Sequence, residues 1–197
     1  FLLYTLSAIA IPLIFEMNLI LKMWLGYSNA DNTLFCQLMI IHVVILAMHN
    51  PITIIIHATG HIKEYHLHVE SLTLLSLPIT WFMFHIGTPA YYVFIIMISL
   101  CIISHGVRLF YLKKFYEPFS IIDYSKKIMA NGCLIIFIAL CCSYYISNEM
   151  SNYKLRFVVI SILIPIIIFV TAYLIGISHN EKEVLKQTIL SFAKIKK

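Results

Sequence analysis

Residues 34–57 read LFCQLMIIHVVILAMHNPITIIIH, twenty-four positions without an aspartate, glutamate, lysine or arginine. A run of about 20 mostly apolar residues is long enough to cross the hydrocarbon core of a bilayer as a helix. Five further runs of this kind surround it, at about 3–25, 66–87, 90–112, 128–147 and 156–177. They are continuous rather than alternating, which excludes a β-barrel, and open strands would leave backbone groups unpaired in lipid. The expected fold is an all-α membrane protein of about six transmembrane helices, covering 1–179, followed by a basic tail at 180–197.

Composition points the same way. Of the 197 residues 61% are apolar and 12% charged, against about half and a quarter in soluble domains. A net charge of +5 would suit nucleic acid, but the basic residues sit in the connections and the tail, so no nucleic-acid partner is expected. The five cysteines all fall in apolar stretches without C-x-x-C or zinc spacing, and read as small buried hydrophobes. The chain opens on Phe1 inside an apolar run, with no basic segment or cleavage site before it. That reads as a chain lacking its N-terminal part.

Orientation follows the basic residues. Lys63, Arg108, Lys113, Lys114, Lys126, Lys127 and five tail lysines fall on one side of six crossings, against Lys22, Lys154 and Arg156 on the other. Positive charge marks the cytoplasmic side, so the C-terminus is expected there. Trp24, Trp81, Tyr91, Tyr92, Tyr144, Tyr145 and Tyr153 then form an outer aromatic belt, with Tyr65, Tyr111, Tyr116 and Tyr124 in an inner one. The segment 113–127, with Glu117-Pro118, is expected along the inner interface. For the tail, an amphipathic surface helix and a solvated end are both open.

Few residues can carry chemistry. Glu16 lies eight residues before Trp24, about 12 Å of helix rise, so it is placed deep in the membrane. Two readings are open: a protonatable or cation-binding group lining a path, or a hydrogen-bonded glutamate holding two helices together. On the second run His42, His49 and Asn50 fall within about 80° of one another, and His57 joins that sector. The stripe faces either a wet groove or neighbouring helices. Pro51 removes a backbone hydrogen bond and predicts a kink or break. His57 and His61 have i,i+4 spacing, with His66 and His68 following. Gly60 interrupts the helix and no H-E-x-x-H occurs, so no metal centre is expected. Glu70 is a shallow carboxylate that can pair with Lys63 or a histidine. Arg108 can touch a phosphate, although snorkelling towards the interface is the simpler account. There is no G-x-S-x-G, P-loop or G-x-G-x-x-G, and no catalytic residue is expected.

Three motifs carry a resemblance. Ile11-Pro-Leu-Ile14 is followed by Leu19-Ile-Leu-Lys-Met-Trp-Leu-Gly26; Ala58-Thr-Gly-His-Ile-Lys-Glu-Tyr65 forms a connection; and Leu77-Pro78 precedes Gly87-Thr-Pro89. In order and spacing, residues 1–112 resemble the C-terminal half of polysaccharide flippases of the multidrug/oligosaccharidyl-lipid/polysaccharide exporter superfamily. The resemblance implies most of the second lobe of an alternating-access exporter in the bacterial inner membrane. It implies undecaprenyl-diphosphate-linked oligosaccharide as cargo, an opposing N-terminal lobe, and H+ or Na+ as a possible coupling cation rather than a bound cofactor. A multidrug–cation antiporter of the same superfamily shares that fold. A membrane-embedded glycan polymerase or acyltransferase is a further alternative, disfavoured by the short outer loops. The candidate path residues are Glu16, His42, His49, Asn50, Glu70 and Arg108, and Gly26, Gly60 and Gly87 suit tight turns.

Overall fold

The computed structural model describes residues 2–176, and every regular element among them is helical. The chain runs α1 (Leu2–Phe15), α2 (Met17–Leu25), α3 (Ala30–Ala47), α4 (His49–Ala58), α5 (Ile62–Leu74), α6 (Ser76–His85) and α7 (Tyr92–Phe115). It continues through a short α8 (Ile121–Tyr124), a π-helical turn (Ser125–Ala130), α9 (Asn131–Glu149), α10 (Tyr153–Thr171) and a second π-helical turn (Ala172–Gly176). The basic tail at 180–197 lies outside the described residues, and so does its expected amphipathic helix.

Among the described residues, five stretches are long and apolar enough to cross a membrane: Ala30–Ala58, Ile62–His85, Tyr92–Phe115, Ile121–Glu149 and Tyr153–Gly176. The architecture is that of a multi-pass membrane protein. The first expected span departs from the sequence reading. It is not one straight helix over 3–25; α1 and α2 meet at 72° across Glu16. The rise from Trp24 therefore does not measure the depth of Glu16, because α2 turns aside from α1.

Proline accounts for two other interruptions. Pro51 has no N–H for the carbonyl of Ala47, and the helix breaks at Met48 between α3 and α4. Pro78 deprives Leu74 in the same way, and the break falls at Leu75. The turns after α2, α4 and α6 place Gly26, Gly60 and Gly87 at φ of 78°, 81° and 84°. Side chains with a Cβ seldom adopt that left-handed conformation, so the three motif glycines fit their turns.

Packing forms two centres. In the first, Tyr4, Ala8 and Ile11 of α1 meet Ile135 and Ala139 of α9 and Ile160, Ile164 and Ile168 of α10. The isoleucines recur every four residues, one stripe of a helix, and small Ala8 and Ala139 let the backbones approach, as membrane helix interfaces favour. In the second, Ile52 and Ile56 of α4 pack on Tyr65 and Val69 of α5 and on Leu109, Tyr111 and Leu112 of α7. Helix α3 lies against both α1 and α7 and so joins the two. The outward faces carry exposed Phe82, Ile102, Ile103, Phe137, Ile162 and Ile166, a surface suited to lipid.

The aromatic belts need one correction. Trp24, Tyr144, Tyr145 and Tyr153 are exposed near helix ends, but Tyr65 and Tyr111 of the expected inner belt are buried in the second core. Each has a polar partner inside the protein that satisfies its hydroxyl, so neither needs the interface.

Candidate functional site

The second core encloses a polar cluster. Arg108, on α7, is 8% exposed. It does not snorkel, as the sequence suggested, but turns inward. Its Nη1 donates to Thr53 Oγ1 at 2.8 Å and to the Tyr65 hydroxyl. Those two hydroxyls are 2.8 Å apart, which closes a triangle across α4, α5 and α7. The guanidinium carbon lies 5.4 Å from the centre of the Tyr65 ring, within cation–π range. One turn earlier on α7, His105 stacks on His49 of α4 with ring centres 5.3 Å apart. Cys101 Sγ lies 3.8 Å from His49 Nε2, and Tyr124 reaches His105 Nε2 at 3.4 Å.

This cluster borders a cavity of about 160 Å³ between α3, α4, α5, α6 and α7. Its polar lining is His42, His49, Thr73, Ser76, Ser104 and Arg108, with an otherwise mostly apolar wall. None of the lining residues is acidic. Among the described residues no carboxylate lies within ion-pair distance of Arg108. Arg108 Nε, His49 Nδ1, His105 Nδ1 and Ser104 Oγ are buried with no hydrogen-bond partner among those residues. An unpaired buried charge and orphaned donors are each costly. Arg108, His42, His49 and Ser104 border the cavity, so its wall offers one positive charge and polar groups with no competing carboxylate. The volume is small beside the roughly 300–1,000 Å³ that encloses a whole small ligand. It suits one charged group of a larger molecule.

The other expected path residues separate. Glu16 is 1% exposed. Arg156 grips it with Nε at 2.5 Å from Oε1 and Nη2 at 3.0 Å from Oε2, and also donates to the Ser147 carbonyl at 3.4 Å. Both carboxylate oxygens are thus engaged. Glu16 joins the α1–α2 junction to α10 in this structure. Asn50 is exposed and takes no part in the cavity wall, because it points about 100° away from His49 around α4. Glu70 is exposed too, and it pairs with His66 at 3.5 Å rather than with Lys63. Only His42, His49 and Arg108 of the six come together.

Thr53, Tyr65, Cys101, His105 and Arg156 complete these arrangements. Cys101, Ser104, His105 and Arg108 recur at spacings of three and four, a polar face on an otherwise apolar helix. That periodicity was readable. The Glu16–Arg156 pairing joins residues 140 positions apart, and no local pattern announces it.

No protein-family description, curated protein or solved structure matches the chain.

Proposed function

We propose that this chain is one lobe of an exporter that moves lipid-linked oligosaccharide units across the bacterial inner membrane. The cargo would be an undecaprenyl-diphosphate-linked glycan destined for the cell surface. The observation that carries this reading is Arg108: a buried guanidinium, free of carboxylates, on a cavity wall within an apolar bundle. A diphosphate offers what Arg108 lacks, negative charge and pairs of acceptor oxygens that a guanidinium fork can bridge. The glycan exceeds the cavity and would occupy the space shared with an opposing lobe.

The same observation weighs against a multidrug–cation antiporter. A site for amphipathic cations calls for an available carboxylate or an aromatic box. Here the buried carboxylate, Glu16, is already held by Arg156. The basic connections favour a cytoplasmic C-terminus. Coupling to H+ or Na+ fits alternating access, but no described residue is assigned to it.

The test is complementation. The full-length gene, expressed in a strain lacking its polysaccharide flippase, should restore surface glycan. Arg108→Ala should lower that glycan at least tenfold at equal membrane abundance, with Arg108→Lys intermediate. Full glycan with Arg108→Ala, or none with an inserted wild-type protein, would overturn the proposal.

A further inference from the structure

A second group of imidazoles lies at the Gly60 turn, outside the Arg108 cavity. His57 lies in the last turn of α4 and His66 in the second turn of α5. Their Nε2 atoms are 2.8 Å apart, with ring centres at 5.0 Å. Glu70, one turn further along α5, places Oε1 3.5 Å from His66 Nδ1. Buried Tyr65 stands edge-on to both rings, at 6.2 Å from His57 and 5.1 Å from His66. The relevant spacing is nine residues across a turn, not the four that separate His57 from His61.

We propose that His57 and His66 form a binding site for a divalent transition-metal ion, with Glu70 as the carboxylate that orients His66. Neutral imidazole is a ligand through the nitrogen that bears no proton. Here two Nε2 atoms share a hydrogen bond, which His57 donates when the proton of His66 sits on Nδ1 toward Glu70; a metal ion would replace that shared proton, with His57 protonated on Nδ1 instead. A carboxylate that closes to hydrogen-bond distance on the far nitrogen fixes the tautomer that leaves Nε2 free and raises its basicity; Glu70, at 3.5 Å, is placed to do so. Bonds of about 2.0–2.1 Å at a tetrahedral angle set the two nitrogens about 3.3–3.4 Å apart. The rings must therefore open by about half an ångström in all, and both are accessible enough to do so. No group of three or more His, Cys, Asp or Glu side chains converges for a metal among the described residues. The site therefore supplies two protein ligands and leaves the other positions to water. Imidazole donors favour Cu²⁺, Ni²⁺ and Zn²⁺ over Mg²⁺ or Ca²⁺. A bound ion would staple α4 to α5 across the Gly60 turn, next to Tyr65, which also accepts from Arg108.

The experiment uses the full chain, purified without a histidine tag, with Zn²⁺, Ni²⁺ and Mg²⁺ as probes. Calorimetric titration should give one Zn²⁺ or Ni²⁺ site and no Mg²⁺ site. Affinity should fall at least tenfold in His57→Ala and in His66→Ala, and several-fold in Glu70→Gln. It should hold in His61→Ala. The Co²⁺ form should lack thiolate charge-transfer absorption, which separates this site from the cysteines. Melting of metal-free variants checks that they fold, and Zn²⁺ should raise the melting temperature of wild type but not of His57→Ala. Three results would overturn the proposal: no binding, binding retained without His57 and His66, or thiolate absorption in the Co²⁺ form.

Discussion

Replacing Glu16 by glutamine tests the helix-clasp reading of that residue. The carboxylate is 1% exposed, the Arg156 side chain 20%, and two charge-assisted hydrogen bonds of 2.5 and 3.0 Å join them. Removing one partner of a buried pair costs about 3–5 kcal/mol, largely because the other charge is stranded. Two features place this case at the lower end. Glutamine keeps one acceptor oxygen, and Arg156 retains the Ser147 carbonyl and partial exposure. We expect about 3 kcal/mol of destabilisation for Glu16→Gln. Arg156→Gln should cost at least as much, because it strands the less exposed charge. The double variant should recover part of the loss, with a coupling energy of about 1–3 kcal/mol. Thermal unfolding in detergent, with each variant in a double-mutant cycle, reads these values. Strictly additive losses, or a Glu16→Gln variant as stable as wild type, would refute the reasoning. Wild-type stability with lost export would return Glu16 to a path.

Substitutions at two further positions probe the fold and the Arg108 cluster. Tyr65→Phe removes the hydroxyl that accepts from Arg108 and bonds Thr53; it should destabilise the protein by about 1–3 kcal/mol in the same unfolding assay. Gly60→Ala meets nothing within 4 Å, so its cost is confined to the backbone at φ of +81°. About 1–2 kcal/mol should be lost, and less in Gly60→Asn. Equal stability of all three proteins would show that this turn relaxes.

The helices were legible because an apolar run that long has few other ways to satisfy its backbone in lipid. The break at Met48 was expected from Pro51; the one at Leu75 has the same local cause in Pro78, which the sequence reading used only as part of a motif. The 72° bend at Glu16 was not legible in this way. The nearest proline, Pro12, lies a turn earlier inside α1, and the partner that holds Glu16 comes from α10. Arg108 was misjudged for a related reason. A long cation near a helix end can reach water or turn inward, and local sequence does not fix the choice. Thr53 and Tyr65 decide it, and they arrive from two other helices. Tyr65 was read as an interfacial ring because its chain position is near the end of a span. Its burial comes from packing against Tyr111 and Arg108.

The central claim is that the Arg108 cavity receives the anionic head of a lipid-linked substrate. Equilibrium binding of undecaprenyl diphosphate and of the uncharged polyprenol, to the full-length protein in nanodiscs, tests it directly. The account predicts that the diphosphate lipid binds at least tenfold more tightly than the polyprenol. Arg108→Ala should abolish that preference while leaving polyprenol binding unchanged. Equal binding of the two lipids, or a preference that survives Arg108→Ala, would contradict it.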